Sequence, residues 1–222
     1  EALEILSDRC LTCGLLKERI SSIRLPTTVQ IEHWEQQQQE ENCQLGANLI
    51  WKPKAACGEP GSHDMILFPA TYPITKKQAT KNGSAGILQS FIPHHGILYK
   101  VYVIGEQVQV DLRPSLRLAD LLGDCKNVPV SFDSDTVRGL VPFTEAEREA
   151  AMVRLALPHV QAALQETCRQ LREVLDLRLF GWDLIIDESE GFQPYIIDVN
   201  FFPKFEGFPN FHKRLLEFLL LH

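Results

Sequence analysis

The sequence lacks any hydrophobic run long enough to cross a membrane. Its 222 residues contain no apolar stretch that approaches the roughly 18 residues such a helix needs. The chain also does not start with the charged, apolar and small-residue segments of a secretion signal. Basic charge is scarce, because 22 Lys and Arg face 29 Asp and Glu, a formal charge of −7. General nucleic-acid binding depends on basic surface. We therefore expect neither a membrane nor a nucleic acid as partner.

Cysteine is sparse, with six residues spread through the chain. A chain of this length buries enough core to be stable without disulfides, so we expect reduced thiols. Cys10 and Cys13 form a CxxC pair, yet no second CxxC and no HxxxH follows that would complete a zinc site. The pair is therefore interpreted as structural. A GxxxxGKS phosphate-binding loop is also missing.

The late segment FGWDLIIDESEGFQPYIIDVNFFPKFEG places three oxygen-bearing side chains where a bound cation would stabilise them. Two apolar runs flank its turn-rich centre, which predicts an antiparallel hairpin. A turn centred between Glu190 and Gly191 pairs Asp183 with Asp198. Asn200 then lies on the same face, because strand side chains alternate. Two carboxylates and an amide oxygen are predicted to converge.

These side chains favour magnesium as their partner. Directly opposed aspartates repel each other across a strand pair, and a divalent cation removes that conflict. A few hard oxygen ligands that leave room for water and phosphate suit Mg²⁺ better than zinc, which prefers nitrogen and sulfur. The alternative is an edge hairpin whose aspartates face water. Aspartate is disfavoured inside apolar strands, which favours the metal interpretation.

Two other regions carry features of a phosphate-binding site. The strand NLIWKPK contains Lys52 and is followed by AACGEPGSH, whose small residues let main-chain N–H groups approach phosphate oxygens and which ends at His63. Lys100 and Arg113 interrupt two apolar strands and are predicted to point at one anionic ligand. The strand end near Gln89 offers main-chain groups to a purine. The alternatives are an ordinary hairpin loop and solvent-facing charges that prevent edge pairing.

Short apolar runs separated by turn residues predict strands combined with helices. The runs NLIWKPK, MILFPA, GILQSFI and ILYKVYVIG predict strands, and a hairpin is predicted over residues 97–113. Thr144 is predicted to cap a helix that ends near Pro158, where a second helix begins. Asn210 is predicted to cap a final amphipathic helix over residues 211–221, with its leucines packed on the sheet.

Several motifs occur in the order found in one family of ATP-grasp enzymes. They are SDRC, KPKAACGEPGSHDM, LQSFIPHHGILYKVYVIGE, RPSL, LFGWDLII and IIDVNFFPKFEG. On these motifs the chain resembles the inositol-tetrakisphosphate 1-kinase family, also called inositol 1,3,4-trisphosphate 5/6-kinases. The resemblance implies an α+β ATP-grasp fold with antiparallel sheets, in which the nucleotide lies between two lobes. A central lobe is expected over residues 1–92 and a C-terminal catalytic lobe over residues 93–222.

The resemblance also implies roles for individual residues. The implied nucleotide contacts are Arg9, Lys52, Gln89, Ile92, Ser115 and, more weakly, Ser134. His63 and Lys100 are implied to contact the inositol phosphate, and Lys100 also to touch ATP. Asp183 and Asp198 are implied to hold magnesium, with Asp198 bridging two ions. Asn200 is implied to bind the second ion and to lie near the substrate.

The implied reaction is in-line transfer of the γ-phosphate of ATP to a hydroxyl of a soluble inositol polyphosphate. Such a transfer needs positioning and charge compensation more than covalent chemistry. Lys52 and Arg9 would steady the nucleotide, while Lys100 and His63 would orient the acceptor. These two acceptor residues and Asp198 form the expected catalytic set. The general base stays open, because binding to metal would make Asp198 a poor proton acceptor.

The sequence departs from the family pattern at three positions. Cys57 stands in a loop where His or Asp is usual, and Arg138 stands where a small polar residue is expected. Lys204 replaces a glycine in the N-x-FPG pattern and adds either a phosphate contact or crowding of the acceptor. Family members also begin with a further N-terminal lobe that supplies a substrate-binding lysine. We expect that lobe to be missing from this chain.

Two other functions stay open beside the kinase. An ATP-grasp core can also serve a carboxylate-amine ligase that works through an acyl phosphate, although basic residues around the expected acceptor favour a phosphorylated substrate. A catalytically silent nucleotide or inositol-phosphate binding module is compatible with the altered loop and short N-terminus, but the retained Asp183, Asp198 and Asn200 argue against it. We expect a monomer that works in the cytoplasm, with the nucleus as a second location.

Overall fold

The computed structural model describes most of the chain. The described residues are 1–31, 48–56, 60–70, 72, 85–117, 128–134, 142–187, 189, 191–203, 205 and 208–221. The helices in these ranges are α1 (Ala2–Ser7), α2 (Arg9–Arg19), α3 (Glu145–Leu155), α4 (Pro158–Leu175) and α5 (Phe211–Leu221). No helix of this part of the chain is long and apolar enough to cross a membrane.

One antiparallel sheet has five strands. In spatial order they are β1 (Thr28–Ile31), β4 (Gly86–Ser90), β2 (Leu49–Pro53), β3 (Asp64–Phe68) and β7 (Val130–Asp133). The strands predicted from NLIWKPK, MILFPA and GILQSFI are confirmed as β2, β3 and β4. Strand β7 comes from beyond residue 92 in the chain and pairs with β3. Gly86 lets β4 approach β2 closely, because a Cβ there would lie 2.4 Å from the carbonyl oxygen of Lys52.

A second antiparallel sheet has four strands. In spatial order they are β6 (Gln107–Pro114), β5 (Ile97–Ile104), β8 (Leu179–Asp187) and β9 (Gln193–Asn200). The predicted hairpin over residues 97–113 is confirmed as β5 and β6, whose turn includes Gly105 with a φ of +57°. Every residue of β5 is buried. The strand is therefore covered on both of its faces, as expected for the interior of a two-layer arrangement.

Helices pack against one face of this second sheet. Leu155 of α3 and Leu171 of α4 share a core with Val101 and Trp182 of the sheet, and Leu6 of α1 joins the same core. Thr144 caps α3 in a capping box with Glu147, and Pro158 occupies the first turn of α4. The two predicted helices and the break between them are confirmed. The other face carries Lys100 and Asp183, and Phe205 and Phe208 from the chain after β9 cover part of it.

The last helix, α5, is confirmed, but its packing was predicted wrongly. Leu216, Leu219 and Leu220 are 57%, 63% and 75% exposed. Aromatic side chains take the expected place of the leucines, because Phe211 and Phe218 pack against the buried cluster around Tyr102. Asn210 has a φ of +56°, which differs from the extended conformation that N-cap residues adopt. The helical spacing of apolar residues predicts the helix, but it does not predict which of its apolar side chains pack against the rest of the protein.

Candidate functional site

A cleft opens between the two sheets. Residues of β2, β3, β4 and β7 line it from one side and residues of β5, β8 and β9 from the other. It encloses about 730 Å³ of empty space, counting its open mouth. The predicted site residues that line it are Lys52, Gln89, Ile92, Ser115, Ser134, Asp183 and Asp198. The structure therefore brings together residues that are up to 146 positions apart in the chain.

The two predicted carboxylates lie directly opposite each other. Asp183 of β8 and Asp198 of β9 are partners in the strand ladder, as predicted. The predicted register is wrong nearer the turn, where Leu184 pairs with Ile196 rather than with Ile197. A β-bulge between Asp183 and Leu184 absorbs one extra residue of β9. The bulge leaves the carboxylate pair in register and frees Ile197 from regular pairing.

Lys100 stands beside this pair. It is the β5 partner of Asp183, so both side chains are on the same face of the sheet. Lys100 Nζ lies 2.5 Å from Asp183 Oδ1, and the two side chains are only 10% and 5% exposed. The lysine compensates the charge of one carboxylate of the pair. Lys100 is not itself among the residues that line the cleft. It influences the cleft through its ion pair with Asp183.

Lys52 crosses the cleft from the first sheet to the second. Its ammonium group donates a hydrogen bond of 3.3 Å to the carbonyl oxygen of Ile197, the extra residue of the bulge. Lys52 is 6% exposed. Burial lowers the pKa of Lys52, and the negative charge of Asp198 opposes that lowering. A buried cation that points at the carboxylate pair from the opposite sheet is well placed to bind an anion in the cleft.

The donor chemistry of the carboxylate pair fits magnesium. No three His, Cys, Asp or Glu side chains gather as a metal cage anywhere in the described residues. Two carboxylates with a neighbouring amide are instead the incomplete set that Mg²⁺ accepts, because this ion keeps several water and phosphate ligands. Asn200 is two residues beyond Asp198, on the same face, opposite Gly181. Asp183, Asp198 and Asn200 are therefore the residues that would hold the ion.

His63 lies at the rim of the cleft rather than in its lining. Its Nδ1 is 3.2 Å from Ser134 Oγ, and the main-chain N–H of Ser134 donates to the carbonyl of His63. Ser134 in turn lines the cleft. The pairing of β3 with β7 brings these two residues together, although 71 positions separate them. Their roles with ligands stay predictions.

Arg9 is placed away from the cleft lining. It is 4% exposed, and its guanidinium donates to the carbonyls of Pro53, Ala55 and Ser62 at 2.8, 2.6 and 3.1 Å. Arg9 thus ties the end of β2 to the segment before β3. Its predicted contact with the nucleotide stays a prediction.

Asn200 is also outside the cleft lining and is half-buried. The chain that follows it folds back over Gly181, where a Cβ would lie 2.7 Å from Pro203 Cγ. The returning segment therefore packs over Gly181, which is the ladder partner of Asn200. The departures from the family pattern at Cys57, Arg138 and Lys204 lie outside the described residues.

The CxxC pair does not form part of the cleft. Cys10 and Cys13 lie on α2 and form no disulfide. Burial raises the pKa of Cys13 to about 11, so its reactive thiolate is scarce at neutral pH. This supports the structural interpretation of the pair.

The apolar residues that line the cleft could not be identified from the sequence. Met65, Phe132 and Ile185 line it beside the predicted polar residues. Each belongs to a strand, where apolar residues also build the core, so their pattern does not distinguish a cleft wall from buried packing. Only the approach of the two sheets identifies them.

Comparison with known proteins assigns the family. The family model described as the inositol 1,3,4-trisphosphate 5/6-kinase ATP-grasp domain matches residues 18–221. The chain is 33% identical over 168 residues to the inositol-tetrakisphosphate 1-kinase of Danio rerio, which covers 76% of this chain and 40% of that protein. It is 31% identical over 188 residues to inositol-tetrakisphosphate 1-kinase 2 of Glycine max, with 82% and 55% covered. The chain thus spans about half or less of the length of these curated relatives.

Solved structures agree on the fold. A RimK domain ATP-grasp protein from Sphaerobacter thermophilus superimposes with a TM-score of 0.58 at 15% identity, covering 99% of this chain and 69% of that one. The D-alanine–D-alanine ligase of Bacillus anthracis gives 0.57 at 11% identity, with 98% and 67% covered. Identities this low establish the fold and leave the reaction open. The predicted ATP-grasp fold is confirmed, and the chain belongs to the inositol 1,3,4-trisphosphate 5/6-kinase family.

Proposed function

We propose that this chain transfers the γ-phosphate of ATP to a hydroxyl of a soluble inositol polyphosphate. The observation that carries the proposal is the meeting of Lys52, Asp183 and Asp198 in one cleft, with Lys100 beside them. Phosphoryl transfer needs charge compensation and alignment at the transferring group, and it needs little covalent chemistry. Two lysines and two carboxylates from both sheets supply that environment.

The nucleotide is proposed to lie along the cleft. Lys52 is in place to bind phosphate oxygens because its buried ammonium group already extends across the cleft. Gln89 lines the cleft near the end of β4, where its side chain donates to Thr28 of β1. Together with Ile92, it would border the base. Ser115 and Ser134 would add hydroxyl contacts.

Magnesium, when bound, would compensate charge on the phosphates and align them for transfer. Asp183 and Asp198 are proposed to hold it, with Asp198 shared between two ions and Asn200 on the second ion near the acceptor. Lys100 keeps Asp183 oriented through their buried ion pair. Removing Lys100 would therefore disturb both the carboxylate and the acceptor contact proposed for this lysine.

The inositol polyphosphate is proposed to enter beside Lys100, Asn200 and His63. Basic groups there suit an acceptor that carries several phosphates. Arg9 is proposed to help the nucleotide site by holding the segment that leads to His63 in place. The division into lobes at residues 92 and 93, a monomeric state and a cytoplasmic or nuclear location are further proposals that accompany this function.

The test is a phosphoryl-transfer assay with the purified protein. Radiolabelled ATP, Mg²⁺ and a panel of inositol tris- and tetrakisphosphates should give labelled inositol phosphate of higher charge. Replacing Asp198 by Asn should reduce kcat by about 10²-fold or more, because it removes a charge that acts in the transition state. Asp176→Asn is the matched control. Asp176 is exposed and its backbone has the left-handed conformation, so the activity of this variant should equal that of the wild type.

Other outcomes would point to the alternatives. A ligase would be indicated if the radiolabel from ATP appeared only as free phosphate, and only when a carboxylate and an amine were supplied. Binding of ATP with no transfer to any inositol phosphate would indicate a silent module. Unchanged turnover in Asp198→Asn would remove the metal assignment.

A further inference from the structure

His94 is a buried histidine at one end of the cleft, in the segment between β4 and β5. It is 7% exposed and lines the cleft together with Ile92 and Ser115. Its Nδ1 lies 2.7 Å from the carbonyl oxygen of Ile92, and its Nε2 lies 2.9 Å from Ser115 Oγ. One imidazole therefore joins this segment to the residue that follows β6.

The two hydrogen bonds fix the protonation of the ring. A main-chain carbonyl can only accept, so Nδ1 carries a proton and donates to Ile92. Burial lowers the pKa of His94 to about 4, which keeps the ring neutral at pH 7. Its Nε2 is then an acceptor, and the Ser115 hydroxyl donates to it. The lone pairs of Ser115 Oγ stay available to other donors.

The backbone around His94 is held in one shape. The N–H of Ile97 donates to the carbonyl of His94, and the N–H of Ser115 donates to the carbonyl of Gly96. His95 and Gly96 both have positive φ values, of 49° and 72°. A Cβ at Gly96 would also meet the Arg117 side chain at 2.4 Å. The segment is thus constrained at several points, with His94 as its side-chain tether.

The tether determines which groups face the cleft. The Ile92 carbonyl is occupied by His94, while the Ile92 main-chain N–H has no acceptor among the described residues. This N–H donor and the Ser115 oxygen are a donor and an acceptor at the same end of the cleft. A purine nucleoside offers the complementary groups, since adenine N1 accepts a hydrogen bond and ribose hydroxyls donate.

We propose that His94 is a positioning residue for the nucleotide: its two hydrogen bonds hold the Ile92 N–H and Ser115 Oγ in the arrangement that recognises an adenine nucleoside. The inference rests on the proposed nucleotide binding and goes beyond it by giving base selectivity to a residue that does not touch the reacting phosphate. Inosine tests this, because its N1 carries a hydrogen and so cannot accept from Ile92.

The experiment compares dissociation constants for Mg·ATP and Mg·ITP by titration calorimetry. His94→Phe keeps a ring against Phe91, whose centroid is 5.4 Å from that of His94, but removes both hydrogen bonds. We expect ATP binding to weaken by about tenfold, equal to about 1.4 kcal/mol, and ITP binding to change much less. The KM for the inositol phosphate should stay unchanged. His94→Asn retains a donor for the Ile92 carbonyl and should recover part of the ATP affinity.

His95→Asn is the matched control, because this neighbour is exposed and Asn tolerates its left-handed backbone. It should bind both nucleotides as the wild type does. Equal weakening of ATP and ITP in His94→Phe, or no weakening of either, would overturn the inference, as would His94→Asn with no more ATP affinity than His94→Phe. A wild type that binds neither nucleotide would instead overturn the proposed function.

Discussion

The buried ion pair between Lys100 and Asp183 gives the sharpest prediction about stability. Replacing Lys100 by Met keeps much of the side-chain volume and removes the charge. Asp183 would then be a carboxylate that is 5% exposed, has lost its ion pair with Lys100 and lies directly opposite Asp198. We expect the free energy of unfolding at pH 7 to fall by about 3–5 kcal/mol, the usual effect of breaking a buried pair.

The magnitude follows from the geometry. At the N–O distance of 2.5 Å, the attraction is about 7 kcal/mol for an effective dielectric constant of about 20. Desolvation of both groups offsets part of it, which leaves the smaller expected loss. Lys54→Met is the control, because Lys54 pairs with Asp8 at 3.3 Å while 49% exposed. Its effect should stay below about 1 kcal/mol.

Urea denaturation of the single and double variants measures the coupling. The double variant Lys100→Met with Asp183→Asn should be more stable than Lys100→Met alone, because the buried carboxylate that lost Lys100 is then also removed. Millimolar Mg²⁺ should also restore part of the stability of Lys100→Met, since a cation bound to Asp183 and Asp198 replaces the lost charge. Additive effects of the two substitutions within about 0.5 kcal/mol would refute the reasoning, and so would an absence of any Mg²⁺ effect.

Three further predictions concern the frame of the site. Gly181→Ala should destabilise the protein by about 1–3 kcal/mol, because its Cβ would lie 2.7 Å from Pro203. Its matched control is Gly14→Ala, in open space on α2, which should instead stabilise the protein by about 0.5–1 kcal/mol when both variants are compared by thermal melting. Arg9→Met should lower the free energy of unfolding in urea by about 3 kcal/mol or more, because four carbonyls lose a charged donor. Because burial lowers the pKa of His94 from 6.5 to about 4, the unfolded chain binds more protons between those values. Stability should therefore fall as the pH drops through this range, by at most about 3 kcal/mol from this group, and unfolding of His94→Asn should depend less on pH there.

Local patterns in the sequence were enough to predict most of the elements. The capping box at Thr144, the proline that starts α4 and the apolar run of β5 are all short-range signals. The pairing of Asp183 with Asp198 was also predicted, but the predicted register is wrong nearer the turn, and a β-bulge brings the two residues opposite each other. The motifs then supplied the fold family, which local patterns alone do not specify.

Contacts between distant parts of the chain decided the features that could not be predicted from the sequence. The β-bulge frees the Ile197 carbonyl, and only the approach of the first sheet brings Lys52 to it. Arg9 is a residue of a recognised motif, yet its hydrogen-bond partners are carbonyls at the end of β2 and in the segment after it, more than 40 positions away. The outward leucines of α5 were mispredicted for the same reason, since an amphipathic pattern does not say which neighbour is present.

The sequence by itself determined the strands and helices, the hairpin that aligns two aspartates, and the membership of an ATP-grasp family. The elements follow from side-chain alternation and capping, which act over a few residues. The family follows from the order of the motifs along the chain. The tertiary structure alone decided that Lys52 faces the carboxylates, that Lys100 is buried against Asp183, and that His94 joins Ile92 to Ser115. Such contacts depend on how two sheets and their connecting segments meet, and that meeting is set by packing of the whole chain.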